Sequence, residues 1–444
     1  MYPCLLTRVQ ILGEDIMILL LFVLMFTFMF LGVPIFASMS LASVLYLVFS
    51  GNAPLNLITT NLVNGISAYN LLAIPFFMLV GELMNISGMT QRVVNLTQFF
   101  VGRFKGGLAY AAIFVNMLLA SISGSAPADC TAVSTVLIPE MKKDGYPENF
   151  SAAVNCCAAV LGPIIPPSIP MVFLAMITNL STGRMLLGGI LPGILLTTAL
   201  LIVTALEMKK FDLKVEKSNK TFQEFKVLFR DAFLALLAPI IIIVGVITGF
   251  VTLTEVAILS SAYILFIGVV FYKTIKIKNL IQAFKNASSF ASSLMVLFGV
   301  VGVFSWFIAV EQIPALLLNF IESANLSPEI FLLAVNILLL IIGTLMDAVP
   351  AMTILMPVLM PVAISIGIDP IHFGVVVVVN LMVGLITPPV GALLYVESKI
   401  SGVSFKELAK SVKYYIIAFI VVILIITYVP FFTTAIPNLL MGGQ

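Results

Sequence analysis

Two six-residue segments decide how this chain folds, GPIIPP at residues 162–167 and GLITPP at residues 384–389. Both follow the pattern Gly-x-x-x-Pro-Pro, and they lie 222 residues apart. Other landmarks keep the same or nearly the same offset: Pro139 with Pro361, Gly145 with Gly367, and Asn116 with Asn336. Agreement at one fixed spacing within apolar sequence predicts an internal duplication.

The composition is that of a membrane protein. Hydrophobic residues make up 61% of the 444 residues and charged residues only 9%, whereas a soluble domain carries roughly 25% charged residues. The chain is therefore predicted to be an all-α polytopic membrane protein in contact with a lipid bilayer. Its net charge of +2 is too small to indicate a nucleic-acid partner.

Cysteine and histidine usage argues against an enzyme. The four cysteines form no CxxC pair, and His372 is the only histidine. A histidine-based metal site and a Ser-His-Asp triad are both disfavoured by that count. No nucleophile–base pair is visible either, so the sequence predicts no enzymatic activity and no organic cofactor.

Polar segments divide the chain into four parts. We predict an N-terminal extension over 1–15, a first transmembrane repeat over 16–206, a linker over 207–231 and a second transmembrane repeat over 232–435. The linker is rich in lysine, which predicts a cytoplasmic position by the positive-inside rule.

Charge placement predicts that the two repeats have opposite orientations in the membrane. Lys142 and Lys143 follow the first core segment, whereas no Lys or Arg occurs between Lys285 and Lys399 around the second. This asymmetry is typical of an inverted repeat. Inversion requires that one apolar segment of each half lies along the membrane or spans it only partly, and amphipathic 311–328 is the candidate in the second half. We expect ten to twelve spans in total.

Each half contains a stretch that predicts a re-entrant hairpin. Residues 121–129 are small and polar, and the apolar run after them reaches Pro139 within about ten residues, too few to cross a bilayer. We expect two short arms and a polar tip at about 121–143. The second half repeats this at about 343–367, with an arm that ends at Pro357 and Pro361.

The Pro-Pro pairs predict broken helices opposite the hairpins. Proline lacks an N–H and clashes with the carbonyl one turn earlier, so the break exposes carbonyl oxygens. Such oxygens are ligands for Na⁺, and helix N-termini at the break attract an anion. Hydroxyls at the same places add further oxygen ligands: Ser123, Ser125, Thr344 and Thr387. The alternative is a pair of proline kinks with small residues that permit close helix packing.

Asp129 and Asp347 are carboxylates within apolar sequence. Because burying a charge in a membrane is costly, such residues are candidates for a transport site. The alternative for each is a helix N-cap at a hairpin tip close to water.

At these motifs the chain resembles the large membrane subunit, the DctM-type subunit, of the TRAP (tripartite ATP-independent periplasmic) transporters. The resemblance extends over residues 17–435. It is carried by IPFFMLVG at 74–81, SGS at 123–125, GPIIPPS at 162–168, MD at 346–347, GIDPIHFG at 367–374 and the segment 380–391.

The resemblance implies an elevator-type secondary transporter of the ion-transporter superfamily, in the bacterial inner membrane. It implies import of an organic acid anion, of the C4-dicarboxylate, sialic acid or sugar acid class, driven by Na⁺ bound at about two sites. It also implies two partners, a small four-helix membrane subunit and a periplasmic substrate-binding protein. Since no four extra spans precede residue 16, we expect the small subunit to be a separate chain.

The resemblance also implies site residues by position. The first sodium site would involve Ser123, Ser125, Gly162, Ile165 and Pro167. The second would involve Gly343, Thr344, Gly384, Thr387 and Val390. The substrate would lie between the hairpin tips, near Ser125, Asp129, Ser168, Asp347 and Pro388. Pro127, inside the first hairpin, departs from the family pattern.

One alternative function remains within the same superfamily. A stand-alone ion-coupled anion carrier would use the same duplicated core and would need no binding protein. An intramembrane enzyme is a further alternative, but the two aspartates lie in different halves of the chain.

Overall fold

The computed structural model of the protein describes residues 21–29, 31–50, 56–67, 69–101, 106–211, 222–248 and 251–442. Within these residues the chain is helical and contains no β-strand, which confirms the predicted all-α class. The predicted N-terminal extension 1–15 lies outside the described residues, and so does 212–221 of the predicted linker.

The first half begins with a helical stretch over 21–29, followed by ten labelled helices. They are α1 (Ile35–Ser50), α2 (Asn56–Ile66), a 3-10 turn (Tyr69–Leu72), α3 (Ala73–Ile86), α4 (Met89–Val101), α5 (Gly107–Ser123), α6 (Ala126–Lys143), α7 (Glu148–Ala159), α8 (Ile169–Ile177), α9 (Thr182–Gly188) and α10 (Ile190–Met208).

In the second half, the described residues form eleven helices. They are α11 (Phe222–Thr248), α12 (Leu253–Phe266) with a π turn (Ile267–Phe271), α13 (Ile277–Val310), α14 (Ile313–Ser323), α15 (Pro328–Leu345), α16 (Ala348–Ser365), α17 (Pro370–Gly384), α18 (Ala392–Ser401), α19 (Phe405–Ser411), α20 (Lys413–Tyr428) and α21 (Phe431–Met441).

Helix bounds in the two halves follow one spacing. The ends of α5 and α15, both ends of α6 and α16, and the starts of α7 and α17 are 222 residues apart. From α8 and α18 onward the starts are 223 residues apart. The local sequence therefore sets the same succession of helices and turns twice. The opposite orientation of the halves relative to a membrane stays a prediction.

Fewer helices than expected are long enough to span. Six helices of the described residues are long and apolar enough to cross a membrane, or eight if each of two bent pairs counts as one span. The sharper bend, 67°, separates α3 from α4. The shortfall against ten to twelve has a physical reason: breaks divide several apolar runs into helices of 10–17 residues, such as α17 and α21.

The predicted hairpins have longer arms than the sequence indicated. The tip at Gly124 and Ser125 separates α5, of 17 residues, from α6, of 18 residues. Pro139 does not end α6, and Pro357 and Pro361 do not end α16, which continues to Ser365. The prediction that the second arm ends at Pro357 and Pro361 was wrong, because a proline removes one helix hydrogen bond and a well-packed membrane helix tolerates that loss. Both arms of the second hairpin, α15 and α16, are long and apolar enough to span, whereas α5 and α6 of the first hairpin are not among the spanning helices of the described residues.

The two halves exchange their broken helices. In each half the helix after the Pro-Pro turn packs against the hairpin of the other half: α8 against α16, and α18 against α6. Around this centre, α2, α3 and α12 form a second group, with α2 and α3 packed along α13 and α12 packed against α3. The exchange brings both hairpins and both Pro-Pro turns into one central region.

Candidate functional site

The tip of the first hairpin lies directly on the first Pro-Pro turn. Gly124 ends α5 with φ of 59°, a left-handed conformation that favours glycine. A Cβ atom at Gly124 would lie 2.8 Å from the Pro167 carbonyl oxygen and 3.3 Å from the Ile169 nitrogen. The absence of a side chain at residue 124 therefore lets the hairpin tip touch the turn.

The Asp129 carboxylate faces the same turn. Asp129 is in the first turn of α6 and only 2% exposed. A Cβ atom at Gly162 would lie 2.6 Å from Asp129 Oδ2. Asp129 was predicted to contact the substrate, but the structure places its carboxylate beside Gly162, a residue predicted for the first sodium site.

The first Pro-Pro turn, residues 160–168, is nearly closed to solvent. Its Pro166–Pro167 peptide bond is cis, and every residue of the turn is buried except Ile165, which is half-buried. Ser168 is 1% exposed, donates its hydroxyl to the Pro163 carbonyl and caps α8 by accepting from the Met171 nitrogen at 3.2 Å. The Ser168 hydroxyl thus holds the turn together.

The second turn, residues 385–391, meets the second hairpin by a closer backbone contact. A Cβ atom at Gly384 would lie 2.5 Å from the Gly343 carbonyl carbon. The Gly391 nitrogen donates to the Thr344 carbonyl at 3.1 Å. Four residues predicted for the second sodium site therefore lie in or beside this contact: Gly343, Thr344, Gly384 and Thr387.

Two threonine hydroxyls in this region donate their protons to backbone carbonyls. Thr344 Oγ1 donates to the Ile341 carbonyl at 2.7 Å, and Thr387 Oγ1 donates to the Val383 carbonyl at 2.8 Å. A hydroxyl has one proton and two lone pairs, so a hydroxyl that donates its proton to the backbone presents lone pairs to its surroundings. Such oxygens suit Na⁺.

The second turn is the more accessible of the two. Its Pro388–Pro389 peptide bond is also cis. Pro388 and Pro389 are exposed, and Thr387 and Val390 are half-buried. The predicted substrate residue Pro388 therefore lies at the surface of the turn.

The hairpin tips carry a polar residue at each N-cap. Ser125 is half-buried at the N-cap of α6. Asp347 is exposed at the N-cap of α16, where its Oδ1 accepts from the Ala348 nitrogen at 2.8 Å. Asp347 is therefore a helix N-cap, and its role toward a substrate stays a prediction. The Ser123 side chain lies outside the part of the chain whose side chains are described.

The donor set suits Na⁺ better than a transition metal. No group of three His, Cys, Asp or Glu side chains in the described residues is arranged to hold a metal ion. Hydroxyl and carbonyl oxygens at the two turns are hard ligands, and soft thiolate or imidazole sites select other metals.

Matched asparagine pairs fasten each hairpin arm to its broken helix. Asn116 on α5 donates to Asn155 Oδ1 on α7 at 2.8 Å. Asn380 on α17 donates to Asn336 Oδ1 on α15 at 2.9 Å. Asn116 and Asn336 marked the duplication in the sequence, and the structure gives both the same role in holding an arm.

Glu397 was not among the site residues predicted from the sequence. This residue, on α18, is 0% exposed and receives hydrogen bonds from two other helices. The available signal was its isolation: Glu397 is the only acidic residue between Asp369 and Glu407.

Comparisons with known proteins agree with this architecture. The family model described as "Tripartite ATP-independent periplasmic transporter, DctM component" matches residues 22–432. The chain is 34% identical over 417 residues to the sialic acid TRAP transporter large permease protein SiaM of Vibrio cholerae, covering 94% of this chain and 97% of that protein. It is 34% identical over 437 residues to the C4-dicarboxylate TRAP transporter large permease protein DctM of Rhodobacter capsulatus, covering 95% and 99%.

Two solved transporter structures share the fold. The Alcanivorax borkumensis YdaH transporter superposes with a TM-score of 0.62 at 16% identity, covering 84% of this chain and 88% of that one. Neisseria gonorrhoeae MtrF superposes with a TM-score of 0.58 at 13% identity, covering 84% of each chain.

Proposed function

Because the chain belongs to the DctM family of tripartite ATP-independent periplasmic transporters, we propose that it imports an organic acid anion by Na⁺-coupled secondary transport. The relatives are named as permeases for sialic acid, C4-dicarboxylates and 2,3-diketo-L-gulonate. The substrate proposed here is of that organic acid class. The protein acts as a transporter permease.

The observation that best supports sodium coupling is the contact between the second hairpin and its turn. Gly343 and Gly384 approach closely, and two threonine oxygens beside them present lone pairs. Bound there, Na⁺ would be held by Thr344, Thr387 and the backbone near Gly343, Gly384 and Val390. The first site would use Ser123, Ser125, Gly162, Ile165 and Pro167. Sodium would supply positive charge to a region whose described side chains include no Lys or Arg.

The carboxylates near the hairpin tips support an ordered cycle. The N-termini of α6 and α16 are positive dipole ends, but Asp129 already lies in the first turn of α6 and Asp347 caps α16. These acids offset the attraction that the helix ends offer to an anionic substrate. The anion then binds well only after Na⁺, which couples its transport to the sodium gradient.

We propose that the protein acts with two partners in the bacterial inner membrane. The family is tripartite by description, and the resemblance implies a small four-helix membrane subunit and a periplasmic binding protein. The binding protein would present the anion to the hairpin tips, near Ser125, Asp347 and Pro388. Pro388 and Asp347 are exposed, which fits such delivery.

Uptake into proteoliposomes tests this function. This chain and its small subunit would be reconstituted with a radiolabelled organic-acid panel, with and without the binding protein. Parallel vesicles would carry an inward gradient of sodium or of potassium. We expect uptake only with sodium and the binding protein together. Uptake without the binding protein would establish the stand-alone carrier instead, and equal uptake in potassium would exclude sodium coupling.

A further inference from the structure

Glu397 lies in a buried polar cluster that joins the two halves of the chain. Its Oε2 accepts from Cys130 Sγ at 2.8 Å and from Ser134 Oγ at 2.6 Å, both on α6. It also accepts from Asn155 Nδ2 on α7 at 3.2 Å. Asn155 in turn binds the Cys130 carbonyl at 3.0 Å and Asn116 on α5. One carboxylate oxygen of the second half thus contacts the hairpin and broken helix of the first.

The cluster has no counterpart in the other half. By the repeat spacing, Leu174 on α8 stands in place of Glu397, and Met352 and Met356 on α16 stand in place of Cys130 and Ser134. Val377 on α17 stands in place of Asn155. These four residues are buried and apolar. We call each contact between a hairpin and the broken helix of the other half a joint. Because the joint between α8 and α16 has apolar side chains at these positions, the fold does not require polar ones in the joint between α18 and α6.

A buried carboxylate without a cation is costly, so its presence calls for a specific role. Within the described residues, no salt bridge involves Glu397. The titratable groups that face it are thiols, Cys130 on α6 and Cys156 and Cys157 on α7. Hydrogen bonds from three neutral donors, Cys130, Ser134 and Asn155, are therefore the polar contacts that Oε2 makes in the described residues.

Position along the chain indicates what the cluster connects. Glu397 lies less than two turns after Gly391, where the second Pro-Pro turn ends. Cys130 and Ser134 lie in the part of α6 that follows the first hairpin tip. A shift of the second turn therefore moves α18, and the cluster transmits that shift to the first hairpin.

We propose that Glu397 is a positioning residue that holds α18 against α6, so that the two candidate cation sites, in opposite halves of the chain, move as one body. The role of Glu397 in the transport cycle rests on the proposed function, but its role in holding α18 against α6 does not. Hydrogen-bond acceptance by Oε2 is the property that matters, because Oε1 has no hydrogen-bond partner among the described residues. Glu397→Gln keeps one accepting oxygen, whereas Glu397→Leu reproduces the apolar residue of the matched joint.

Labelling of Cys130 tests the joint without any transport measurement. The background carries Cys4→Ser, Cys156→Ala and Cys157→Ala, so that Cys130 is the only thiol. Cys130 is 0% exposed beneath Glu397, so its rate of reaction with N-ethylmaleimide reports joint opening. We expect Glu397→Leu to raise this rate about tenfold and Glu397→Gln to change it less than about twofold. Glu322→Leu, which removes an exposed carboxylate on α14, is the matched control and should leave the rate unchanged.

A milder variant keeps the test decisive if Glu397→Leu fails to fold. Ser134→Ala removes one donor to the same oxygen and should raise the labelling rate about threefold. If Glu397→Leu does not fold, an unchanged labelling rate in Ser134→Ala alone would overturn the proposal. If Glu397→Leu does fold, adding Ser134→Ala to it should change nothing further, because the two residues act through one contact. Additive effects, or equally slow labelling in Glu397→Leu and Glu397→Gln, would overturn the proposal. Fast labelling in Glu397→Gln would also overturn it, since that result makes the charge the essential property.

Labelling with and without sodium distinguishes a failure of this inference from a failure of the proposed function. In the Cys130 background we expect sodium to slow labelling, and Glu397→Leu to abolish the slowing. If sodium has no effect on any variant, sodium coupling fails, while the sodium-free rates still decide whether Glu397 holds the joint. If sodium slows labelling equally in both proteins, the two sites do not communicate through Glu397 and the coupling proposed here is wrong.

Discussion

The two Pro-Pro turns share a cis Pro-Pro bond but have different surroundings. In each, a glycine lies four residues before the first proline of that bond, and the turn touches the hairpin of its own half. The first turn is closed, with the Asp129 carboxylate over Gly162. The second is open at Pro388 and Pro389, and only backbone meets backbone at Gly384. The break in the helix recurs in both halves, while the residues around it give each turn its own accessibility.

The largest effect expected from this difference comes from adding a methyl group to the two glycines. Gly384→Ala places a Cβ against the Gly343 backbone, whereas the nearest atom to a Cβ in Gly162→Ala is the far end of a side chain, Asp129 Oδ2. Inserting a methyl group into a packed contact costs about 1–3 kcal/mol. The upper end of that range corresponds to roughly a hundredfold loss of uptake. We expect Gly384→Ala to lose sodium-driven uptake by that factor, and Gly162→Ala by about tenfold or less. Uptake is measured in proteoliposomes at matched protein content, and equal losses would remove the distinction between the turns.

Thiol labelling measures the difference in accessibility directly. Val390 is half-buried in the second turn, and Ile164 is buried in the first. In a chain without its native cysteines, we expect Val390→Cys to react with a maleimide at least about tenfold faster than Ile164→Cys, because reaction requires an accessible thiolate. The free thiol in unfolded protein gives the reference rate for both. Similar rates at both positions would show that the turns open equally in the membrane.

Removal of a single oxygen ligand probes the second turn at a finer scale. Thr387→Ala should raise the sodium concentration for half-maximal uptake about fivefold to tenfold, the effect of losing one interaction of about 1–1.5 kcal/mol. Ser123→Ala, which removes a predicted ligand of the first site, should also raise it. Thr387→Ser retains the hydroxyl and serves as control. A sodium dependence unchanged in Thr387→Ala rules out the assignment of this residue.

The smallest effect concerns the helices that lead into the turns. Asp369 caps α17 by accepting from the His372 nitrogen at 2.8 Å, while α7 begins after Pro147 without a side-chain cap. We expect Asp369→Ala to lower stability by about 1 kcal/mol, seen as a lower Tm in detergent, with the sodium dependence of uptake unchanged. Asp369→Asn should retain the Tm. A shifted sodium dependence would mean that the cap also acts on the site.

Repeated local signals were enough to predict where the hairpin tips and the helix breaks lie. The two Gly-x-x-x-Pro-Pro segments, the hairpin tips and the asparagine landmarks all fall where the structure has breaks, tips and arm contacts. Arm length was predicted wrongly, because proline propensity is local while packing around Pro357 and Pro361 is tertiary. The accessibility of the turns was beyond sequence reasoning, since it depends on which helices of the other half cover them.

Glu397 shows the limit of reading residues in chain order. Its partners Cys130 and Ser134 are more than 260 residues away, and no periodicity links them. Only the exchange of α8 and α18 between the halves brings them together. By composition, Glu397 is one acidic residue in an apolar helix, whereas in the structure three donors form hydrogen bonds to its Oε2.

The exchange of helices also constrains how the protein is made. When residue 206 has been synthesised, the first half is complete in sequence, yet the surface of α6 that later receives α18 is still uncovered. Ser134 and Asn155 remain without their carboxylate partner until the ribosome has added residue 397. The packing of the nascent first half is therefore incomplete until α18 has been synthesised. Two separately encoded halves would assemble only if both were present in the membrane together.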